Sequence, residues 1–228
     1  MTDIKNEKRL AGYEAAKYVE DGMTVGLGTG STAFFAIEAV GKMVANGLSI
    51  RAVPTSTATE EQARELNIPM VSIDDIDSID LTIDGTDEWD GDLNLIKGGG
   101  GALLKEKMVA RFTKKQIIIA DSSKRVEKLG AFKVPVEVLP FTVDYVATRI
   151  EDMGGRGDIR IKDGARFLTD EKNYIIDADF GLMDDPFLIH DDLNQIEGVI
   201  CNGLFLDLAD LVIVGRGDQT EIYRDERD

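Results

Sequence analysis

The sequence predicts an α/β protein whose parallel sheet is interrupted by a smaller α+β unit. Three observations predict it. Up to about residue 130, short apolar runs alternate with stretches of helical spacing, the signature of a parallel sheet. Beyond that point, strand-like runs are divided by the turn signals Gly154-Gly155, Asp163-Gly164 and Asp170-Glu171-Lys172-Asn173. A final apolar run, Asp210 to Gly215, reads as one more buried strand that returns to the first part. The expected architecture is a Rossmann-like domain of residues 1–129 and 207–228, with a small ferredoxin-like domain of residues 130–206 inserted into it.

The elements follow in order. Residues 5–20 have helical spacing, with Leu10, Tyr13, Ala16 and Val19 on one stripe, and Asp21-Gly22 ends the helix. Thr24 to Leu27 is a short strand, a glycine turn follows, and residues 31–45 are helical. Ser49 to Val53 is a second strand, closed by Pro54. Thr57 or Thr59 caps a helix that runs to Leu66, and Pro69 precedes a strand from Met70 to Ile73. Ile79 to Ile83 is a strand ending at Asp84, residues 102–113 form a helix, and Gln116 to Ala120 is a strand ending at Asp121. The smaller unit reads as strand 134–139, helix 143–152, strands 158–161, 166–169 and 174–179, helix 186–195 and strand 198–205.

Composition narrows the function classes. With 228 residues, 43% of them hydrophobic, the chain can bury a full core. No apolar stretch approaches the roughly 18 residues of a membrane span, and the start, Met1-Thr2-Asp3-Ile4-Lys5, lacks the apolar core of a signal peptide, so cytoplasmic residence is expected. Cys201 and His190 each stand alone, which removes disulfides, cysteine zinc sites and paired-histidine metal motifs. Cys201 reads as buried packing and His190, among Asp185, Asp191 and Asp192, as a solvated or capping residue. Acid–base chemistry then falls to carboxylates and lysine. A net charge of −17 argues against nucleic acid or an anionic membrane as partner. The acidic surplus is spread along the chain, including the end Asp225-Glu226-Arg227-Asp228, and suits either a well-solvated surface or a salty cytoplasm.

Three polar clusters follow strand-like runs, and the carboxyl ends of parallel strands line one crevice. The first is Gly26-Leu27-Gly28-Thr29-Gly30-Ser31-Thr32. It opens a helix whose free N–H groups suit an anion, and Ser31 and Thr32 add hydroxyls. Gly28-x-Gly30-x-x-Ala33 also fits a loose dinucleotide fingerprint, but the next strand ends without an acidic residue for a ribose. The second, Asp84-Gly85-Thr86-Asp87-Glu88, admits three readings: a solvated acidic loop, a hard-cation site, or polar contacts from Asp84 and Asp87 to sugar hydroxyls with Lys97 as counter-charge. The third, Lys97-Gly98-Gly99-Gly100-Gly101, carries a large ordering entropy and belongs where backbone must approach something closely. It leads into the helix of Glu106, whose helical neighbours Ala102, Leu103, Val109 and Ala110 are small or apolar, while Lys105 and Lys107 point elsewhere. Semi-burial there would raise a carboxyl toward the range of a general base.

Together these stretches, with Ile119-Ala120-Asp121-Ser122-Ser123-Lys124 and Val134-Pro135-Val136-Glu137-Val138, resemble the ribose-5-phosphate isomerases of type A over nearly the whole chain. The resemblance implies an intramolecular oxidoreductase that interconverts ribose 5-phosphate and ribulose 5-phosphate with neither metal nor organic cofactor. It implies Glu106 as the base that moves a proton between C1 and C2 through an enediolate. It further implies contacts from Asp84, Gly85, Thr86, Asp87, Lys97, Gly98, Gly99 and Gly100 to the sugar, with Asp84, Asp87 and Lys97 assisting ring opening and charge stabilisation. Thr29, Gly30, Ser31, Thr32 and Lys124, with Lys8, would hold the phosphate, and a homodimer or homotetramer is expected. Leu104-Lys105 stands where the family commonly has Thr-Arg, and Thr86 where it usually has Ala. Two other classes fit parts of the pattern: a coenzyme A transferase, which uses a Glu as nucleophile, and a non-catalytic sugar-phosphate sensor.

Overall fold

The structure, a computed structural model, describes residues 3–224; Met1, Thr2 and the acidic end 225–228 lie outside the described residues. In chain order the elements are α1 (Ile4–Ala16), β1 (Thr24–Leu27), α2 (Ala33–Ala45), β2 (Arg51–Pro54), α3 (Thr57–Glu65), β3 (Leu81–Gly85), β4 (Glu88–Trp89) and β5 (Leu95–Ile96). There follow α4 (Leu103–Phe112), β6 (Gln116–Asp121), β7 (Val134–Val138), α5 (Val143–Asp152), β8 (Arg156–Ile159), β9 (Ile161–Lys162) and β10 (Ala165–Arg166). The chain closes with β11 (Tyr174–Asp179), α6 (Pro186–Asn194), β12 (Val199–Asn202), β13 (Leu204–Phe205), β14 (Leu211–Arg216) and β15 (Gln219–Arg224). No helix among the described residues is long and apolar enough to cross a membrane.

The chain forms two compact units, one of residues 1–86, 105–124 and 207–228 and one of residues 87–104 and 125–206. The first holds a six-stranded sheet in the order β15-β14-β6-β3-β1-β2. All neighbours pair in parallel except the β14–β15 hairpin. Its middle strands are apolar on both faces, as a covered parallel sheet requires; Ile117, Ile118 and Ile119 of β6 are each fully buried. β2 lies on one side of β1 and β3 on the other, so the strand order reverses there, and the loops after β1 and β3 flank the reversal.

Helix α1 departs from its expected stripe. Its buried positions are Glu7, Ala11, Gly12, Ala15 and Ala16, while Leu10 and Tyr13 are only partly covered. Close packing is the reason: a methyl on Gly12 would lie 2.7 Å from Ala36 N, and one on Gly215 of β14 would lie 2.0 Å from Glu7 O. Three further differences are local. Ser56, not Thr57 or Thr59, caps α3, its Oγ accepting from Thr59 N at 3.1 Å. The expected strand at 70–73 reduces to a single bridge between Ala52 and Met70, after which Ser72 starts a 3₁₀ turn. β15 is an unexpected edge strand.

The second unit is built on an antiparallel sheet in the order β12-β7-β11-β8, with α5 and α6 as its connecting helices. This β-α-β-β-α-β course is ferredoxin-like. Its core gathers Val134, Val136 and Val138 with Val146, Ile150 and Ile176. The unit takes in more chain than residues 130–206, because β4 and β5 pair with β13 in a small sheet of their own. The strand expected over 198–205 is accordingly two: it breaks at Gly203, whose carbonyl accepts from Lys97 N at 2.9 Å. The strand expected at 166–169 is only the two-residue β10. His190 is half-buried rather than solvated, with Nδ1 2.9 Å from Asn202 Oδ1, and Cys201 is buried packing as expected.

Candidate active site

In the first unit the glycine turn and the aspartate loop meet at the reversal of strand order. Asp84 is 1% exposed at the end of β3, and its Oδ1 accepts from Thr29 N at 3.0 Å and Gly85 N at 2.7 Å. Gly28 is required by this approach, since a methyl there would lie 2.1 Å from Asp84 Oδ1. Thr29, placed by the sequence reading among the phosphate contacts, has both donors engaged within the protein. Its N–H goes to Asp84, and its Oγ1 lies 2.7 Å from Thr55 Oγ1 and 2.8 Å from Ser56 Oγ. Thr55, Ser56 and Thr59 form a hydroxyl cluster that fixes the turn, Thr59 Oγ1 donating to Gly28 O at 2.8 Å.

Gly30, Ser31 and Thr32 open α2, and Thr32 makes no side-chain cap bond to it. Lys8 reaches over from α1, donating to Ser31 Oγ at 2.9 Å and lying 3.8 Å from the buried Asp121 carboxylate. A cavity of about 920 Å³ lies beside this cradle, lined by Lys8, Gly30 and Ser31 and by Ile4, Phe34 and Ile37. Lys124 sits half-buried in the turn after β6, its N–H bonded to Asp121 O at 3.2 Å. Glu106 is 5% exposed on α4, one turn before Val109, which packs with Val53 and Ile79. Lys107 beside it is 6% exposed, so the helix buries two ionisable side chains in succession where one is expected.

Sequence reasoning missed Glu7, the buried charge that ties this side of the unit together. Its Oε2 accepts from Ser122 N at 3.0 Å and its Oε1 from Gly217 N at 2.8 Å, joining α1 to the turn of Lys124 and to the β14–β15 hairpin. Burial pushes this carboxyl up, but the Gly217 and Ser122 N–H bonds and the nearby Arg216 together bring it below its ordinary value. A lowered carboxyl supports the fold at neutral pH and withdraws that support as pH falls through its folded value. The wild type should therefore lose melting temperature between about pH 5 and 3 more steeply than Glu7→Gln. Parallel acid limbs in a thermal-melt series would contradict this.

In the second unit Lys97 is 2% exposed, its Nζ 5.3 Å from the Phe205 ring centroid. Asp87 accepts from Gly99 N at 2.7 Å through Oδ2, and a methyl on Gly99 would lie 2.7 Å from its Oδ1. Gly98 has φ +102° and Gly101 φ +86°, conformations that favour glycine. Glu88, the third carboxylate of the acidic cluster, is structural: it accepts from Gly130 N at 2.9 Å and Phe132 N at 2.5 Å. Gly85 and Thr86 link the two aspartates along the chain and are partly exposed. No group of three or more His, Cys, Asp or Glu side chains among the described residues could hold a metal ion.

Known proteins carry the same framework. Residues 51–219 match the sequence model of ribose 5-phosphate isomerase A (phosphoriboisomerase A). A ribose-5-phosphate isomerase A of Streptococcus pneumoniae is 46% identical over 226 residues, covering 99% of this chain and 100% of its own. The crystal structure of ribose 5-phosphate isomerase A from Neisseria gonorrhoeae superposes with a TM-score of 0.93 at 38% identity, covering 99% of each chain. A D-ribose-5-phosphate isomerase in complex with phospho-erythronic acid gives 0.94 at 38% identity, with 97% of this chain and 99% of that one covered. By sequence and by fold, the chain is an isomerase and belongs to the ribose 5-phosphate isomerase A family.

Proposed function

We propose that the protein interconverts D-ribose 5-phosphate and D-ribulose 5-phosphate through an enediolate, with Glu106 as the general base. The observation that carries the reading is the near-complete burial of Glu106 on a helix that also carries family motif residues. A proton lifted from C2 must be returned to C1 on the same face, and a carboxylate shielded from water keeps it in between. Lys97 and the Asp84 and Asp87 carboxylates act on the sugar oxygens: the ammonium stabilises the enediolate charge, and the carboxylates accept from hydroxyls during ring opening. The relative bound to phospho-erythronic acid supports this class of ligand, because that acid carries a phosphate and a carboxylate's negative charge on one polyol chain.

The phosphate falls to Thr29, Gly30, Ser31 and Thr32 at the start of α2, with Lys8 and Lys124. Neither metal nor organic cofactor is needed for this chemistry, so the rate in EDTA should equal the rate without it. The reading includes cytoplasmic residence and a homodimer or homotetramer. Leu139, Phe141 and Tyr145, exposed on one short segment, support self-association, with Phe141 97% exposed.

The test is direct. Ribose 5-phosphate should give the ketose, and unphosphorylated ribose should be turned over with kcat/KM lower by at least about 10³-fold, since remote phosphate binding energy is spent on the transition state. Equal efficiency on the two sugars would remove the anion role from the glycine turn.

A further inference from the structure

We infer that Arg160 is a positioning residue for the glycine loop 98–101 and, through it, for Asp87; the inference rests on the reading that Asp87 acts on the sugar. Arg160 follows β8, and its backbone is held on both sides, its N–H donating to Ile175 O at 2.8 Å and its carbonyl accepting from Phe167 N at 2.9 Å. Its guanidinium forks onto Asp177 of β11, Nε to Oδ2 at 3.0 Å and Nη2 to Oδ1 at 2.5 Å. The remaining nitrogen, Nη1, donates to Gly98 O at 3.0 Å and Gly99 O at 3.2 Å. The side chain is 14% exposed and lies 5.8 Å from the Phe167 ring. That ring is the one a methyl on Gly101 would strike at 2.5 Å.

The peptide group between Gly98 and Gly99 is thereby held at both ends. It is trans, so its C=O and N–H point in opposite directions. Arg160 takes the oxygen, and the N–H is delivered to Asp87 Oδ2 at 2.7 Å. Four consecutive glycines have no side chains with which to hold themselves, and ordering each residue costs about 1–2 kcal/mol. Beyond the turn bond from Gly101 N to Gly98 O at 3.0 Å, a charged, braced fork on two successive carbonyls constrains the loop. Without it the loop samples other peptide orientations, and Asp87 loses the donor that orients it.

The experiment compares Arg160→Met, which keeps the stem and removes the fork, with Arg160→Lys, which keeps the charge. Arg160→Met should lower kcat by about 10–10²-fold, while the inhibition constant of inorganic phosphate stays within about two-fold, since the phosphate residues are not in this loop. Arg160→Lys should recover part of kcat. Asp177→Asn, which loosens the brace, should lower kcat less than Arg160→Met and add little to it in the double variant. Wild-type kcat in a folded Arg160→Met, or in Arg160→Lys and Asp177→Asn if the Met variant does not fold, overturns the proposal. So does a loss seen equally in KM and the phosphate constant, which would mark general loosening. Asp87→Asn is measured in parallel: a low kcat there with normal Arg160 variants overturns this inference alone, whereas a normal kcat overturns the role of Asp87 and the inference with it.

Discussion

Replacing Glu106 by Gln is expected to lower kcat by about 10²–10⁴-fold while leaving KM nearly unchanged. The substitution keeps size and hydrogen-bonding capacity at a position that is 5% exposed, so the helix and its packing through Val109 should survive. In the proposed reaction, what it removes is the atom that holds the proton between C2 and C1. Solvent deuterium separates this from a general loss of fit. In D₂O the wild type should place deuterium on the reacting carbon in proportion to how often the carboxylic acid exchanges before return, and Glu106→Gln should place none. Near-normal turnover in the Gln variant would transfer the base to Asp84 or Asp87.

Much of the fold was legible because its central strands are chemically uniform. Runs such as Ile117-Ile118-Ile119 and Leu211 to Val214 have no alternative to burial, and α5 and α6 lie within a residue of their expected bounds. What escaped is short or weakly patterned. β4 and β5 have two residues each, too few to show a period, and β15 is a half-exposed edge strand whose register is set by its partner β14. The small-residue face of α1 was hidden because alanine and glycine signal proximity of backbones, which hydrophobic spacing does not measure.

The site divides in the same way. Lys97 before its glycine run and Glu106 on an apolar helix face stood out from the residues alone, whereas the aspartate loop left three readings open and the family resemblance singled out Asp84 and Asp87. Glu7, Asp121 and Arg160 did not stand out, since their meaning lies in distant partners. Arg160 meets Gly98 from 62 residues away, and Glu7 meets Ser122 from 115. Thr29, which the family resemblance implies as a phosphate contact, likewise has distant partners that no spacing shows, its hydroxyl meeting Thr55 and Ser56.

Gly28→Ala should give the second large effect, although Gly28 itself touches no substrate in the proposed reaction. A methyl at this position would lie 2.1 Å from Asp84 Oδ1 and 2.5 Å from Asp84 Cα. The side chain cannot swing clear, because its oxygen is tied to Thr29 N and Gly85 N, and the Cα is fixed by the pairing of β3 with β1 and β6. The turn must therefore move away from the strand end and break the Thr29–Asp84 bond. Overpacking of this kind costs about 1–3 kcal/mol of stability, and a shift of about 1 Å in Asp84 lowers kcat by about 10²-fold. Gly47→Ala separates the two consequences. Gly47 has φ +103° and open space around it, so alanine there strains the backbone by about 1–2 kcal/mol and moves nothing near Asp84. Measured below both melting transitions, Gly47→Ala should keep wild-type kcat and Gly28→Ala should not. Equal kcat in the two variants would mean that Asp84 tolerates displacement, and its role on the sugar would then have to be given up.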